Sequence, residues 1–204
     1  MKTSVNWIIS KIICRIVVEL DMSEKFEKLT KKHIEFIQNQ HIYFVGTAAP
    51  SGFVNVSPKG MDSFRVIDES KIAWLNLTGS GNESAAHILE NARMTIMFCS
   101  FDKQPLTLRL YGQATTVYPR EEKWADLIQL FPDNIGARQV FELEISLVQT
   151  SCGYSIPHYE FTSDRKTLSK WADRKGPEGI SDYWSEKNRL SLDHKNTGIF
   201  DEAE

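Results

Sequence analysis

The sequence predicts a mainly β fold, in which a small antiparallel β-barrel is accompanied by peripheral helices. Stretches such as 106–118 and 139–151 alternate apolar and polar residues with the two-residue period of a strand. Short turns join consecutive stretches, which favours antiparallel pairing over βαβ crossovers. A closed or partly closed barrel is the economical arrangement because closure removes exposed strand edges. Side chains fill the interior of a barrel this small, so a large ligand would bind outside it, in a groove or at a subunit interface.

The same patterns assign most of the chain in order. Apolar residues recur every three or four positions between Phe26 and Ile37, which indicates an amphipathic helix. A second helix is expected over 81–93, with Asn82 as a favourable N-cap residue. A third is expected over 120–131, where large apolar residues share one helical stripe. The predicted strands occupy 41–52, 53–60, 61–70, 71–80, 93–101, 106–118 and 139–151.

Three regions are predicted along the chain. Residues 1–21 are apolar but carry basic residues, and the stretch is too short and too charged for a confident membrane span. We expect it to be an extension outside the folded domain, either disordered or upstream of a natural start at Met22. The barrel domain is expected to occupy 22–150. Residues 151–204 are expected to form a helical extension that packs on the barrel, with two short helices separated by Gly176-Pro177.

Composition restricts the function classes. The net charge of −3 arises from 24 basic and 27 acidic residues, which gives no field that would hold nucleic acid or an anionic membrane. The three cysteines are far apart and the five histidines show no ligand spacing, so no metal site is expected. A reduced, cytoplasmic protein is the simple interpretation.

Two polar stretches fall at predicted strand ends. In the first, 55–60, Pro58 and Gly60 flank Lys59, which is either a solvated edge charge or a cation that holds an anion. The second, 76–84, is rich in glycine and hydroxyl groups and leads into a helix, whose free N–H groups attract anions. The same composition is also typical of any solvated loop. Arg109, in an otherwise apolar strand, could complete a phosphate cradle or simply lie on the outward face.

Four motifs occur in an order that resembles a known family. They read VSPKG, IAWLNLTGSGNES, HILENARMTIMF and LRLYGQA. In this order they resemble the pyridoxamine 5′-phosphate oxidase-like proteins, the FMN-binding split-barrel family, and the tail resembles an uncharacterised branch of it. The resemblance implies a six-stranded antiparallel split barrel that forms a homodimer, with FMN in grooves at the dimer interface. It also implies an FMN-dependent oxidoreductase of a small molecule.

The resemblance implies which residues contact the flavin. The first motif would line the cofactor, the second would bring the phosphate-binding turn, and the fourth would contribute an arginine. The cofactor-binding residues implied in this way are Asn55, Val56, Ser57, Lys59, Asn76, Leu77, Asn82, Ser84 and Arg109. The resemblance names no catalytic acid or base.

The chain departs from the family pattern at three places. Val54 stands where the oxidases carry an arginine, and Glu83-Ser84 stands where they carry Arg-Lys. The Arg-x-His substrate motif is missing from the tail. We therefore expect a substrate other than pyridoxamine phosphate. The alternatives are a non-catalytic, stress-related protein that binds flavin, deazaflavin or haem, a deazaflavin-using reductase on the same fold, and a dimeric scaffold without a cofactor.

Overall fold

The protein, here a computed structural model, is described for residues 23–200. Its strands form one eight-stranded sheet in which every pairing is antiparallel. The strands are β1 Ser23–Phe26, β2 Tyr43–Thr47, β3 Asn55–Lys59, β4 Phe64–Val66, β5 Lys71–Leu77, β6 Arg93–Cys99, β7 Leu106–Val117 and β8 Ala137–Cys152. Their order across the sheet is β3-β2-β6-β7-β8-β5-β4, and β1 also pairs with β8.

Four helices accompany the sheet within residues 23–200. They are α1 Lys31–Gln38, α2 Glu83–Glu90, α3 Lys123–Ile128 and α4 Thr167–Lys187. Gly176 interrupts α4 with a φ of 65°, a left-handed conformation that glycine adopts without strain, and Pro177 restarts the helix. The predicted division of this tail into two helical segments is confirmed.

The sheet curls around its main core into a half-barrel. Consecutive strands β3 and β4 lie at opposite edges of the sheet, so the barrel has an open seam between them. The main core contains Trp74 and Phe141, which are fully buried and stack with ring centroids 4.5 Å apart. A smaller core under α3 includes Leu75 and Val140. Strands β5 and β8 therefore bury side chains on both faces.

The predicted antiparallel barrel-like fold is confirmed, with two corrections. Within residues 23–200 the sheet has eight strands instead of the six that the family resemblance implies, and β1 is the strand that the sequence pattern does not predict. The first helix begins at Lys31, not near Phe26, because Thr30 caps it and exchanges hydrogen bonds with His33. Phe26 instead ends β1 and pairs with Val148.

The remaining elements lie within the predicted ranges, except that β8 begins two residues before and ends one residue after its predicted range of 139–151. Asn82 does precede α2, but its side chain makes no capping hydrogen bond. Within residues 23–200, no helix has the length and apolar character needed to cross a membrane. The predicted extension 1–21 lies outside the described residues.

Candidate functional site

The first polar stretch forms an edge strand whose alternation sorts its side chains. Asn55, Ser57 and Lys59 are half-buried, whereas Val56 and Pro58 are exposed. The Lys59 ammonium donates a hydrogen bond of 3.1 Å to Asn76 Oδ1. It also lies 5.1 Å from the centre of the Trp74 ring, within the range of a cation–π contact. Lys59 is therefore turned toward the end of β5 and away from open solvent.

A chain of hydrogen bonds continues from Asn76 onto β8. Asn76 and Gln139 are cross-strand partners, and Asn76 Nδ2 donates to Gln139 Oε1 at 3.0 Å. The same oxygen accepts from Arg138 Nε at 3.1 Å. Asn82, at the start of α2, accepts a long bond of 3.5 Å from Asn76 Nδ2. We call these residues the cationic cluster: Lys59, Asn76, Asn82, Arg138 and Gln139.

Two buried donors of the cationic cluster lack an acceptor within residues 23–200. Asn82 Nδ2 and Gln139 Nε2 have no hydrogen-bond partner in this part of the chain, although Asn82 is 2% exposed and Gln139 is 0% exposed. A buried polar group without a partner costs about 1–3 kcal/mol. Native proteins leave few such groups, so two within one hydrogen-bonded chain indicate an acceptor that the protein alone does not supply.

The cationic cluster also lacks a compensating carboxylate. Among residues 23–200, neither Lys59 nor Arg138 forms a salt bridge. Burial lowers the pKa of Lys59 to about 8, and repulsion by Arg138 adds to this shift. Burial likewise lowers the pKa of Arg138 to about 10. Glu83 attracts Arg138 only through space, since its carboxylate accepts the N–H of Leu192.

A second polar group adjoins the cationic cluster on the side of α2. Asn55 Nδ2 donates to Thr47 Oγ1 and to Ser84 Oγ, each at 3.2 Å. Thr47 Oγ1 also lies 3.1 Å from His87 Nδ1. Among the described residues, the other ring nitrogen of His87 and the hydroxyl of Ser57 are also buried without a hydrogen-bond partner. Polar atoms that lack a partner therefore lie on β3 and on the first turns of α2.

The turn between β5 and α2 is held rigidly. Thr78 bonds the Gly136 carbonyl twice, through its N–H at 2.7 Å and its hydroxyl at 2.8 Å. The indole N–H of Trp184, from α4, donates to the Thr78 hydroxyl at 2.8 Å. Fixed backbone before a helix N-terminus is a suitable arrangement for binding an anion.

The structure brings together six of the nine residues expected to bind the cofactor. Lys59, Asn76 and Asn82 belong to the cationic cluster, while Asn55, Ser57 and Ser84 lie beside it. The other three point elsewhere: Val56 is 65% exposed, Leu77 packs on the smaller core, and Arg109 bonds the Ser151 hydroxyl. The binding role of all nine residues stays a prediction.

Sequence reasoning missed Arg138 and Gln139, and it also missed Thr47 and His87. Arg138 and Gln139 are a polar pair just before the apolar Val140-Phe141, which was the available signal. Only the pairing register of β5 and β8 shows that they meet Asn76. His87 lies one helical turn after Ser84, on the face of α2 that meets β2.

A cavity lies away from the cationic cluster, between α1 and the turn after β3. It has a volume of about 670 Å³, and Tyr43, Phe64 and Arg65 form part of its wall. Two of its polar side chains already have partners within the protein, because Tyr43 bonds Ser63 and Arg65 pairs with Asp62. We place the candidate site at the cationic cluster and not in this cavity. In the described part of the chain, the cluster has amide donors without an acceptor and cations without a salt bridge. Within residues 23–200, no group of His, Cys, Asp or Glu side chains is arranged to hold a metal ion.

Several solved structures resemble this chain at low sequence identity. A protein related to general stress protein 26, of the pyridoxinephosphate oxidase family, from Clostridium acetobutylicum shares 15% identity, with 59% of this chain and 86% of that chain covered and a TM-score of 0.47. A pyridoxamine 5′-phosphate oxidase-related, FMN-binding protein from Nostoc punctiforme shares 14% identity over 54% of this chain and 73% of that chain, with a TM-score of 0.41. HutZ, the haem storage protein from Vibrio cholerae, shares 19% identity over 59% of this chain and 93% of that chain, with a TM-score of 0.43.

Sequence comparison is more specific. The family model for pyridoxamine 5′-phosphate oxidase matches residues 29–152, from the segment before α1 to the end of β8. The pyridoxamine 5′-phosphate oxidase family protein ustO of Aspergillus flavus is 37% identical over 147 residues, which cover 70% of this chain. The match spans 59% of the length of that relative. This chain belongs to the pyridoxamine 5′-phosphate oxidase family.

Proposed function

We propose that the protein is an FMN-dependent oxidoreductase that acts on a small molecule other than pyridoxamine phosphate. One observation carries this proposal: within residues 23–200, the cationic cluster holds one half-buried cation, one buried cation and two buried amide donors, all without an anionic partner. A phosphorylated flavin supplies such a partner, and the cluster includes three of the residues that the family resemblance assigns to FMN. The residues present therefore fit the cofactor.

The residues of the site have distinct tasks in this proposal. Lys59 and Arg138 supply positive charge, which favours binding of an anionic group in a partly desolvated site. Asn82 and Gln139 orient that group with their unpaired amide donors, and Asn76 holds the Lys59 ammonium in place. Trp74, beneath Lys59, provides an apolar surface that limits access of water. When bound, FMN would supply the hydride or electron transfer itself, as is general for flavin enzymes.

We further propose that the cofactor is shared between two subunits of a homodimer. Arg109 lies with Tyr111 on the face of β7 turned away from the main core, so it does not reach the cationic cluster of its own chain. Phe53, Val54 and Val56 expose 68, 73 and 65% of their surface along the edge strand β3. Apolar exposure of this kind is typical of an interaction surface. A partner subunit on this surface could bring its Arg109 to the flavin.

Titration with FMN tests the proposal. Purified protein is expected to quench flavin fluorescence on binding, and Lys59→Met is expected to weaken the affinity about tenfold, because one charge-assisted hydrogen bond is lost. Lys71→Met is the matched control, since that lysine lies on β5 but already pairs with Glu144. Wild-type protein that binds no FMN, or equal affinities in all three proteins, would refute the assignment.

Turnover distinguishes an enzyme from a carrier. Bound flavin is reduced in the absence of oxygen, and its reoxidation is followed with candidate acceptors by absorbance. Reoxidation coupled to consumption of a small molecule is the expected result. Tight binding with no coupled consumption would favour the non-catalytic flavin-binding alternative. Native mass spectrometry of the same sample reports whether the flavin-bound species is a dimer.

A further inference from the structure

Within residues 23–200, the guanidinium of Arg138 donates hydrogen bonds to neutral acceptors only. Its Nε donates to Gln139 Oε1 at 3.1 Å, its Nη2 to the Gly81 carbonyl at 3.0 Å, and its Nη1 to Asn188 Oδ1 at 2.6 Å. Arg138 is 2% exposed. Buried charges in proteins are normally paired with an opposite charge, because an uncompensated charge is costly to desolvate. The surroundings of Arg138 fix its position and leave its charge available.

Asn188 makes the shortest of these contacts from outside the barrel. It follows the end of α4 and is 0% exposed. Its amide also donates to the Gly79 carbonyl at 3.1 Å, and its own carbonyl accepts the Thr197 hydroxyl at 2.5 Å. The amide thus connects Arg138 to the turn that precedes α2, and the C-terminal segment holds it in place.

An aspartate would have the same shape at position 188 and would neutralise Arg138. The chain places the uncharged isostere there, although a carboxylate at 2.6 Å from a buried guanidinium would form a strong pair. The Asn188 amide also donates to the Gly79 carbonyl, which a carboxylate could not do, so hydrogen bonding to the turn gives one reason for this choice. A site that needs the positive charge of Arg138 for a ligand gives a second reason.

We propose that Asn188 is a positioning residue that orients Arg138 without neutralising it, so that Arg138 and Lys59 together recruit the phosphate group of the flavin. This inference rests on the proposed FMN site and deepens it. Asn188 lies beyond the family-matched residues 29–152, so the C-terminal extension supplies a part of the site that the matched domain does not contain.

The proposal predicts a selective loss of affinity for the phosphate group. Dissociation constants are measured for FMN and for riboflavin, which lacks the phosphate. In wild-type protein FMN is expected to bind more tightly than riboflavin. In Asn188→Asp the ratio of the two constants is expected to fall by at least about tenfold, because Arg138 becomes paired.

Two further variants make the test specific. Asn39→Asp adds the same charge at an exposed position just after α1, and it is expected to change the ratio by less than about threefold, since water and salt screen that charge. Arg138→Gln removes the cation directly and is expected to lower the ratio as Asn188→Asp does. The thermal unfolding midpoint of each variant confirms that it is folded. A purely structural role for Asn188 would lower affinity for both flavins equally and leave the ratio unchanged, which would overturn the proposal.

The test also separates this inference from the proposed function. If wild-type protein binds neither flavin, the FMN assignment fails. The inference is then judged with inorganic phosphate at constant ionic strength. Phosphate should raise the unfolding midpoint of the wild type and leave that of Asn188→Asp unchanged. The absence of a phosphate effect on the wild type would overturn it.

Discussion

The two ends of the β5–β8 strand pair treat positive charge in opposite ways. At one end, Lys71 lies 2.6 Å from the Glu144 carboxylate and 3.8 Å from that of Glu142, and Lys123 also pairs with Glu142. Hydrogen bonding to Glu144 raises the pKa of Lys71. At the other end, the cationic cluster contains Lys59 and Arg138, which form no salt bridge with a carboxylate in the described part of the chain.

This difference shows that the fold can neutralise buried charge where nothing else depends on it. Both ends use the same two strands, joined by the buried stack of Trp74 and Phe141. A buried cation left unpaired lowers stability, so its retention needs a reason other than folding. We interpret the paired end as structural and the unpaired end as functional.

Removal of Trp74, which packs between the two ends of the strand pair, is expected to have the largest effect on stability. Trp74→Ala would leave a cavity in the main core and is expected to lower the free energy of unfolding by about 3–5 kcal/mol. Because Trp74 lies under Lys59 and between the two ends, flavin binding should be lost as well. Urea denaturation of the protein measures the stability change, and a loss below about 1 kcal/mol would contradict the packing described.

Removal of the unpaired lysine is expected to stabilise the ligand-free protein. Lys59→Met keeps the length of the side chain and deletes its charge. It should raise the free energy of unfolding by about 1–3 kcal/mol at neutral pH, judged from the lowered pKa of Lys59. Denaturation without added flavin measures this gain. Destabilisation would show that Lys59 is a structural residue.

Removal of a paired charge should do the reverse. Glu142 is 5% exposed and serves both Lys71 and Lys123, whose own partial exposure weakens the pairs. Glu142→Gln is expected to lower the free energy of unfolding by about 1–2 kcal/mol and to leave FMN affinity unchanged. A matching loss of FMN affinity would remove the distinction between the two ends.

The stability difference between wild type and Lys59→Met should depend on pH. Lys59 has a folded pKa of about 8 against an ordinary value of 10.5, so the unfolded chain binds more protons between these values. The deficit of the wild type is therefore complete below pH 8 and decreases as the pH rises toward 10.5. Arg138 faces Lys59 from β8, while Trp74 and Asn76 on β5 carry no charge. A difference constant from pH 7 to about 10 would contradict the shifted pKa.

Removal of an exposed ion pair is expected to have the smallest effect on stability, and it serves as a reference for the other variants. Asp62 lies 2.7 Å from Arg65, but the Asp62 side chain is 66% exposed. Asp62→Asn suits the left-handed backbone at this position, where φ is 54°. The free energy of unfolding is expected to change by less than about 1 kcal/mol in a denaturant titration. A larger change would mean that surface pairs also decide stability here.

The sequence identifies the strands better than it identifies the site. Alternation predicts β7 and β8, but β1 has only four residues and no apolar alternation, so it was merged into the following helix. Lys59, Asn76 and Asn82 could be proposed because polar residues at strand ends resemble a family motif. Arg138 and Asn188 could not, since their importance depends on strand register and on contacts between distant segments.

The loop at Gly52 depends on a residue that is distant from it in the sequence. A side chain at this position would collide with Asp193, whose carboxylate would lie 2.3 Å from the new Cβ atom. The same carboxylate accepts the N–H of Phe53, a bond that joins residues 140 positions apart. This hydrogen bond thus connects the loop that leads into β3 to the segment after α4. Shortening the chain before Asp193 would release the strand that carries Lys59, and a truncation meant to isolate the matched domain would loosen the site it was made to study.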